Sequence, residues 1–143
     1  MKKFFSYLTA VVCAVVLFSS CSEVGGSVNQ DKLLGTWKLV STTTYFTDGE
    51  SYTEYADAET WATVKFTETS CIFNSYDMTE GDITAVPYTL DGNTLYVMFG
   101  LLELEIEKLT NKELVLRQDT VSDNDFVSGE LGVKYSIMTY SKM

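Results

Sequence analysis

From Leu102 to Glu107 the chain reads Leu-Glu-Leu-Glu-Ile-Glu, an apolar side chain at every second position with carboxylates between. Successive side chains of a strand point to opposite faces, so this period of two predicts a half-buried β-strand. Ala62, Val64 and Phe66 repeat it against Trp61, Thr63 and Lys65. The same reading marks eight segments: residues 35–41, 60–67, 70–76, 84–90, 94–99, 102–109, 113–119 and 132–140. Asp91-Gly92 lies between two of them and is the strongest short hairpin signal in the chain. Thr110-Asn111-Lys112 joins another pair, and residues 31–34 read as one helical turn before the first strand. Two longer polar stretches, 43–59 and 120–130, read as loops that gather at an end and can act as lids. Antiparallel strands with one apolar face have two edges to hide, and closure into an up-and-down barrel removes both. The predicted fold is all-β, an eight-stranded antiparallel β-barrel over residues 31–143.

Ahead of that region the pattern changes. Lys2-Lys3 precede an apolar run from Phe4 to Phe18, interrupted by Ser6 and Thr9. Fifteen residues fall short of the ~20 that cross a bilayer. A basic start, a short apolar run and the small residues Ser19-Ser20 together predict a signal peptide over residues 1–20. Residues 21–30 are polar, contain Gly25-Gly26 and read as a flexible tether headed by Cys21.

Composition narrows the chemistry. The chain contains no histidine, so it lacks the commonest general base and the commonest transition-metal ligand. Ser-His-Asp and Cys-His catalysis are excluded, and a zinc site would rest on thiols and carboxylates alone. The net charge of −10 becomes −12 once Lys2 and Lys3 leave with the signal. A surface so acidic repels phosphate backbones, so no nucleic-acid partner is expected. Cys13 leaves too, which makes Cys71 the one cysteine beyond Cys21; in the strand Ser70-Cys71-Ile72-Phe73 it reads as a buried, inert thiol. The pairs Glu103/Glu105 and Asp123/Asp125 sit on an exposed strand face and in a polar loop, where no desolvation prepares them for acid–base work. Asp123-Asn124-Asp125 with Glu130 misses the spacing of a calcium loop. The expectation is therefore no enzyme, no cofactor and no metal.

Leu17-Phe18-Ser19-Ser20-Cys21 resembles the lipobox of bacterial lipoproteins, with Phe18 where leucine is usual. The resemblance implies a lipidated Cys21 and anchoring to the membrane through its acyl chains. Ser22 in place of aspartate implies the outer membrane. Leu33-Leu34-Gly35-Thr36-Trp37-Lys38-Leu39 resembles the Gly-x-Trp opening of the lipocalin and fatty-acid-binding group, in which the tryptophan closes the barrel floor. The runs from Tyr88 to Leu95, Ile106 to Thr110 and Glu113 to Leu116 look like the lipocalin-like domain of bacterial lipoproteins. Two family features depart: the Thr-Asp-Tyr turn has no counterpart, and the arginine that covers the indole is missing from the last strand. That strand offers Lys134 and Lys142, and the only arginine, Arg117, lies one strand earlier. An eight-stranded barrel has room for core side chains or for one small ligand. Trp37, Phe66, Phe73, Tyr88, Phe99 and Tyr135 are the candidate inward-facing residues, with Arg117 or Lys38 as a cation for a ligand carboxylate. Two functions stay open: binding of a small hydrophobic molecule in the barrel, or a non-catalytic accessory lipoprotein whose packed barrel meets another protein.

Overall fold

The computed structural model describes residues 28–119 and 132–143, and in it the predicted alternation becomes a nine-stranded antiparallel sheet that closes on itself. The signal segment, Cys21, most of the tether and the 120–130 loop lie outside the described residues. A one-turn helix α1 (Gln30–Leu33) is followed by β1 (Gly35–Phe46), β2 (Ser51–Tyr55), β3 (Ala62–Phe66), β4 (Ser70–Ser75) and β5 (Ala85–Asp91). The chain continues through β6 (Thr94–Val97), β7 (Leu102–Leu109), β8 (Glu113–Asp119) and β9 (Val133–Lys142). Neighbours run β1-β3-β4-β5-β6-β7-β8-β9, and β9 returns to β1, which closes an eight-stranded barrel.

The ninth strand corrects the expectation of a polar loop over 43–59. β1 continues to Phe46, and β2 pairs with its far half from Ser41↔Tyr55 to Tyr45↔Ser51. Ser-Thr-Thr-Thr-Tyr-Phe and Ser-Tyr-Thr-Glu-Tyr are rich in β-branched and aromatic residues, which favour strand. Neither face of this hairpin is core, so no apolar period betrays it. The near half of β1, Gly35 to Lys38, pairs with β3, while β9 follows the other edge from Trp37↔Lys142 to Phe46↔Val133.

Inward positions form one cluster that includes Val64, Phe66, Cys71, Leu95, Leu104, Ile106, Leu114, Leu116 and Tyr140. Among the described residues, no buried side chain is polar or charged. A register shift between Ile106 and Lys108 inserts Glu107 as a bulge, so Leu109 opposite Leu114 returns to the inside.

The floor explains the Gly-x-Trp pattern. Asn29 accepts a hydrogen bond from the Asp31 N–H at 2.9 Å and caps α1. The carbonyl of Leu33 then receives Trp37 Nε1 at 2.8 Å, which satisfies the polar atom of a fully buried indole. Lys142 Nζ lies 4.9 Å from that ring and donates to the Lys32 carbonyl at 3.1 Å, so lysine occupies the place the resemblance gives to arginine. Gly35 has φ +117°, and a Cβ there would stand 3.1 Å from Lys142 Cε. Val28 donates to the Gly92 carbonyl at 3.0 Å, and Gln30 Nε2 to the Glu68 carbonyl at 2.8 Å. The chain therefore enters at the floor.

Candidate functional site at the open end

Of the residues predicted to line the interior, Trp37, Phe66 and Tyr88 do so as core, with 0%, 2% and 6% of their surface exposed. The Phe66 and Tyr88 rings meet edge to face at 5.5 Å, and the Tyr88 hydroxyl donates to the Thr67 carbonyl at 2.6 Å. Burial pushes the Tyr88 phenol above its usual pKa, against the lowering effect of the bond from Gln30. Phe73 is half-buried against the upper side of the same cluster.

Phe99, Tyr135 and Arg117 are not inside. Phe99 is 94% exposed at the tip of the β6–β7 turn. After Val97 the chain takes three left-handed residues, Met98 at φ 53°, Phe99 at 60° and Gly100 at 87°, so the strand period ends two residues before Phe99. Tyr135 falls on the opposite face of β9 from Tyr140 and Met138. It stacks on Tyr45 at 4.5 Å, with the Arg117 guanidinium 4.1 Å from its ring. Arg117 follows inward Leu116 and so faces out, where Asp119 accepts from its Nε at 2.9 Å and Glu107 approaches to 3.8 Å. Asp119 foremost holds its pKa above the ordinary arginine value. Lys38, beside inward Trp37, is exposed as well. No interior cation therefore faces the core from these positions.

Beyond Phe73, Leu39 and Met138, at the end away from the floor, the described residues leave two hollows between the β1–β2 hairpin, residues 56–61 and the end of β4. A hollow of about 150 Å³ is lined by Leu39, Thr42, Glu54, Ala56 and Thr60. Another of about 300 Å³ is lined by Trp61, Ala62, Ser75, Tyr76 and Asp77, and the two share Thr60. On the outer wall a groove of about 670 Å³ runs past Leu101, Leu102, Glu103, Glu105 and Arg117.

The carboxylates near this end fasten their own turns. Asp57 Oδ1 accepts from Glu59 N–H at 2.8 Å, Thr60 N–H at 2.9 Å and Thr60 Oγ1 at 3.0 Å. The bond from Glu59 is the largest of the effects that hold its pKa below the usual range. Asp82 accepts from Thr79 Oγ1 at 2.7 Å and Thr79 N–H at 3.0 Å, and its pKa falls for that reason. Cys71 is fully buried, and burial pushes its thiol up to about 11.

What the open end presents instead is apolar surface. Phe99, Leu101 and Met98 project from the β6–β7 turn, Tyr52 and Tyr55 from β2, and Tyr76 and Met78 from the segment after β4, all exposed. Gly100 was the one sequence signal of that turn. No protein-family model, curated protein or solved structure matches this chain. Its architecture is that of a closed eight-stranded antiparallel barrel with one added strand, consistent with a lipocalin-like fold.

Proposed function

We propose that this chain is an envelope-anchored, non-catalytic lipoprotein whose packed lipocalin-like barrel holds a protein-contacting surface at its open end. The observation that carries this reading is the division of apolar surface. Trp37, Phe66, Leu95, Leu104, Leu114 and Leu116 are buried in one cluster inside the barrel, while Phe99 and Leu101 stand 94% and 82% exposed at the rim. Monomeric surfaces rarely group large apolar side chains without a partner for them. Non-glycine residues in the left-handed region cost of order 1–3 kcal/mol each and persist where something over-determines them; here they display a phenylalanine.

Placement supports the same reading. From Cys21 to Val28 an extended chain spans at most roughly 25 Å. A lipid on Cys21 would hold the floor toward the membrane and leave the open end free. The absence of histidine, the turn-bound carboxylates and the buried Cys71 all favour contact over catalysis.

A photo-crosslinking amino acid at Phe99 tests the proposal in intact cells. The expected result is a discrete protein adduct that a crosslinker at Lys65, exposed on β3, does not give. A small apolar molecule bound at unit stoichiometry in the native mass spectrum, or equal labelling from both positions, would overturn it.

A further inference from the structure

β2 pairs with β1 along one edge, and among the described residues no strand pairs with the other. Residues of an antiparallel strand direct both backbone groups alternately to one neighbour and to the other. The phase is fixed at both ends of the hairpin, where Phe46 N–H donates to the Glu50 carbonyl and Ala56 N–H to the Val40 carbonyl, each at 2.9 Å. Even-numbered residues of β2 therefore bond to β1. Ser51, Thr53 and Tyr55 direct N–H and C=O at the open edge. All five side chains are exposed, Tyr52 by 64% and Tyr55 by 71%. The strand has no lysine, no proline and no bulge, the devices that usually blunt an edge. Its single charge is Glu54.

We propose that β2 is a self-pairing edge, on which a second copy of this chain docks antiparallel, β2 against β2, about a two-fold axis through Thr53. The sequence selects that register. With Thr53 opposite its own copy, Ser51 meets Tyr55 of the second copy, and every backbone group on both edges finds a partner. On the inner face Glu54 then stands opposite Tyr52 of the second copy in a close, non-hydrogen-bonded pair, where the phenol can donate to the carboxylate. Sliding by one pair in one direction sets Glu54 against Glu54, and in the other it leaves backbone groups unpaired. On the outer face Thr43 and Thr53 already share a hydroxyl hydrogen bond at 2.8 Å. Pairing extends it into a threonine ladder across four strands.

Each copy carries a net charge of −10. Long-range repulsion therefore opposes the dimer, and salt, which screens charges beyond about 10 Å at 0.1 M, strengthens it. A basic extended peptide on the same edge would respond to salt in the opposite sense. The inference stands on the β2 edge alone, so failure of the Phe99 crosslink leaves it untouched.

The test is light scattering on the detergent-solubilised full chain, comparing wild type, Thr53→Lys, Thr53→Glu and an equimolar mixture of the two variants. Wild type forms a salt-strengthened dimer. Each variant places like charges on the two-fold axis and weakens association by at least about tenfold, and the mixture recovers it. Circular dichroism of the separate variants reports that the barrel is intact. A wild type that stays monomeric at high concentration overturns the proposal. So does a Thr53→Lys chain that dimerises undiminished. Loss in both variants without recovery in the mixture overturns self-pairing about Thr53.

Discussion

Trp37 shows what one residue settles. Its position follows from Gly35-x-Trp37: Gly35 takes φ +117°, a conformation that favours glycine, and a Cβ there would crowd Lys142, whose amine lies over the indole. Trp37→Ala is expected to lower the unfolding free energy by about 3–5 kcal/mol in urea titrations, the range for emptying a buried aromatic site. A loss below about 1 kcal/mol would mean that the indole does not close the floor. Burial of Cys71 and Tyr140 predicts a loss of stability in alkali. Burial raises both, to about 11 and about 12, above ordinary values of 9.0 and 10.0. In each case the folded group keeps a proton the unfolded one has lost, so its stabilisation is complete below the unfolded pKa and lost as pH rises toward the folded one. Stability is expected to fall from about pH 9 upward, by up to about 1.4 kcal/mol per pH unit for each group. Cys71→Ala should delay the onset by removing the first titration, and identical pH profiles for the two proteins would refute the assignment. Phe99 marks the limit of residue-level reading. Aromatic character made it a candidate for the interior, whereas its outward position depends on three consecutive φ angles that no residue type announces. The Gly100 beside it supplies one of those three and needs none of the strain that Met98 and Phe99 carry.

Strands with one buried face were legible as elements because burial writes a period of two into them. β7 is the clearest, and its register makes a sharp prediction. Glu107 is the inserted residue, so its deletion removes the bulge while Ile106 and Leu109 stay inside. That deletion should cost little, since the ion pair it breaks with Arg117 is long and exposed. Deletion of Glu105, two residues earlier, instead turns Ile106 outward and Glu107 inward, and should cost at least ~3 kcal/mol or abolish folding. Equal outcomes in denaturant titrations would contradict the register. β2 was illegible for the converse reason: both its faces are wet, and nothing selects an apolar period. The end of β6 was misread because Val97-Met98-Phe99 stays apolar through a segment whose backbone has already left the sheet. Phe99→Gly removes a left-handed side chain that packs on nothing in the described structure. It should leave stability unchanged or raise it by up to about 1 kcal/mol, after the entropy of glycine in the unfolded chain is set against the relieved strain. A clear loss of stability would show that the phenylalanine is held by contacts within its own molecule.

At the scale of the molecule, alternation and short turns were enough to anticipate closure, because an open sheet of these strands would leave two long edges. Whether the closed barrel is full was not legible, since inward aromatics line a cavity and plug a core with the same residue types. Fullness is decided by the heights at which they meet. Trp37 sits on the floor, the Phe66 and Tyr88 rings meet edge to face, and Leu95, Leu104, Leu114 and Leu116 are buried in the same cluster. An eight-stranded barrel is narrow enough for such side chains to use up its interior. The wild-type barrel is therefore expected to show no thermal shift with small apolar probes such as benzene, fatty acids or sterol-like compounds. Phe66→Ala supplies the positive control. Truncating a ring that is 2% exposed should lower stability by about 3–5 kcal/mol and leave an apolar void, and such voids stay dry and accept benzene-sized molecules. Benzene at a hundredfold excess over its dissociation constant should then return about 2.7 kcal/mol to the variant and nothing to the wild type. A wild-type shift as large as that of Phe66→Ala would mean that the barrel already holds the space a carrier needs.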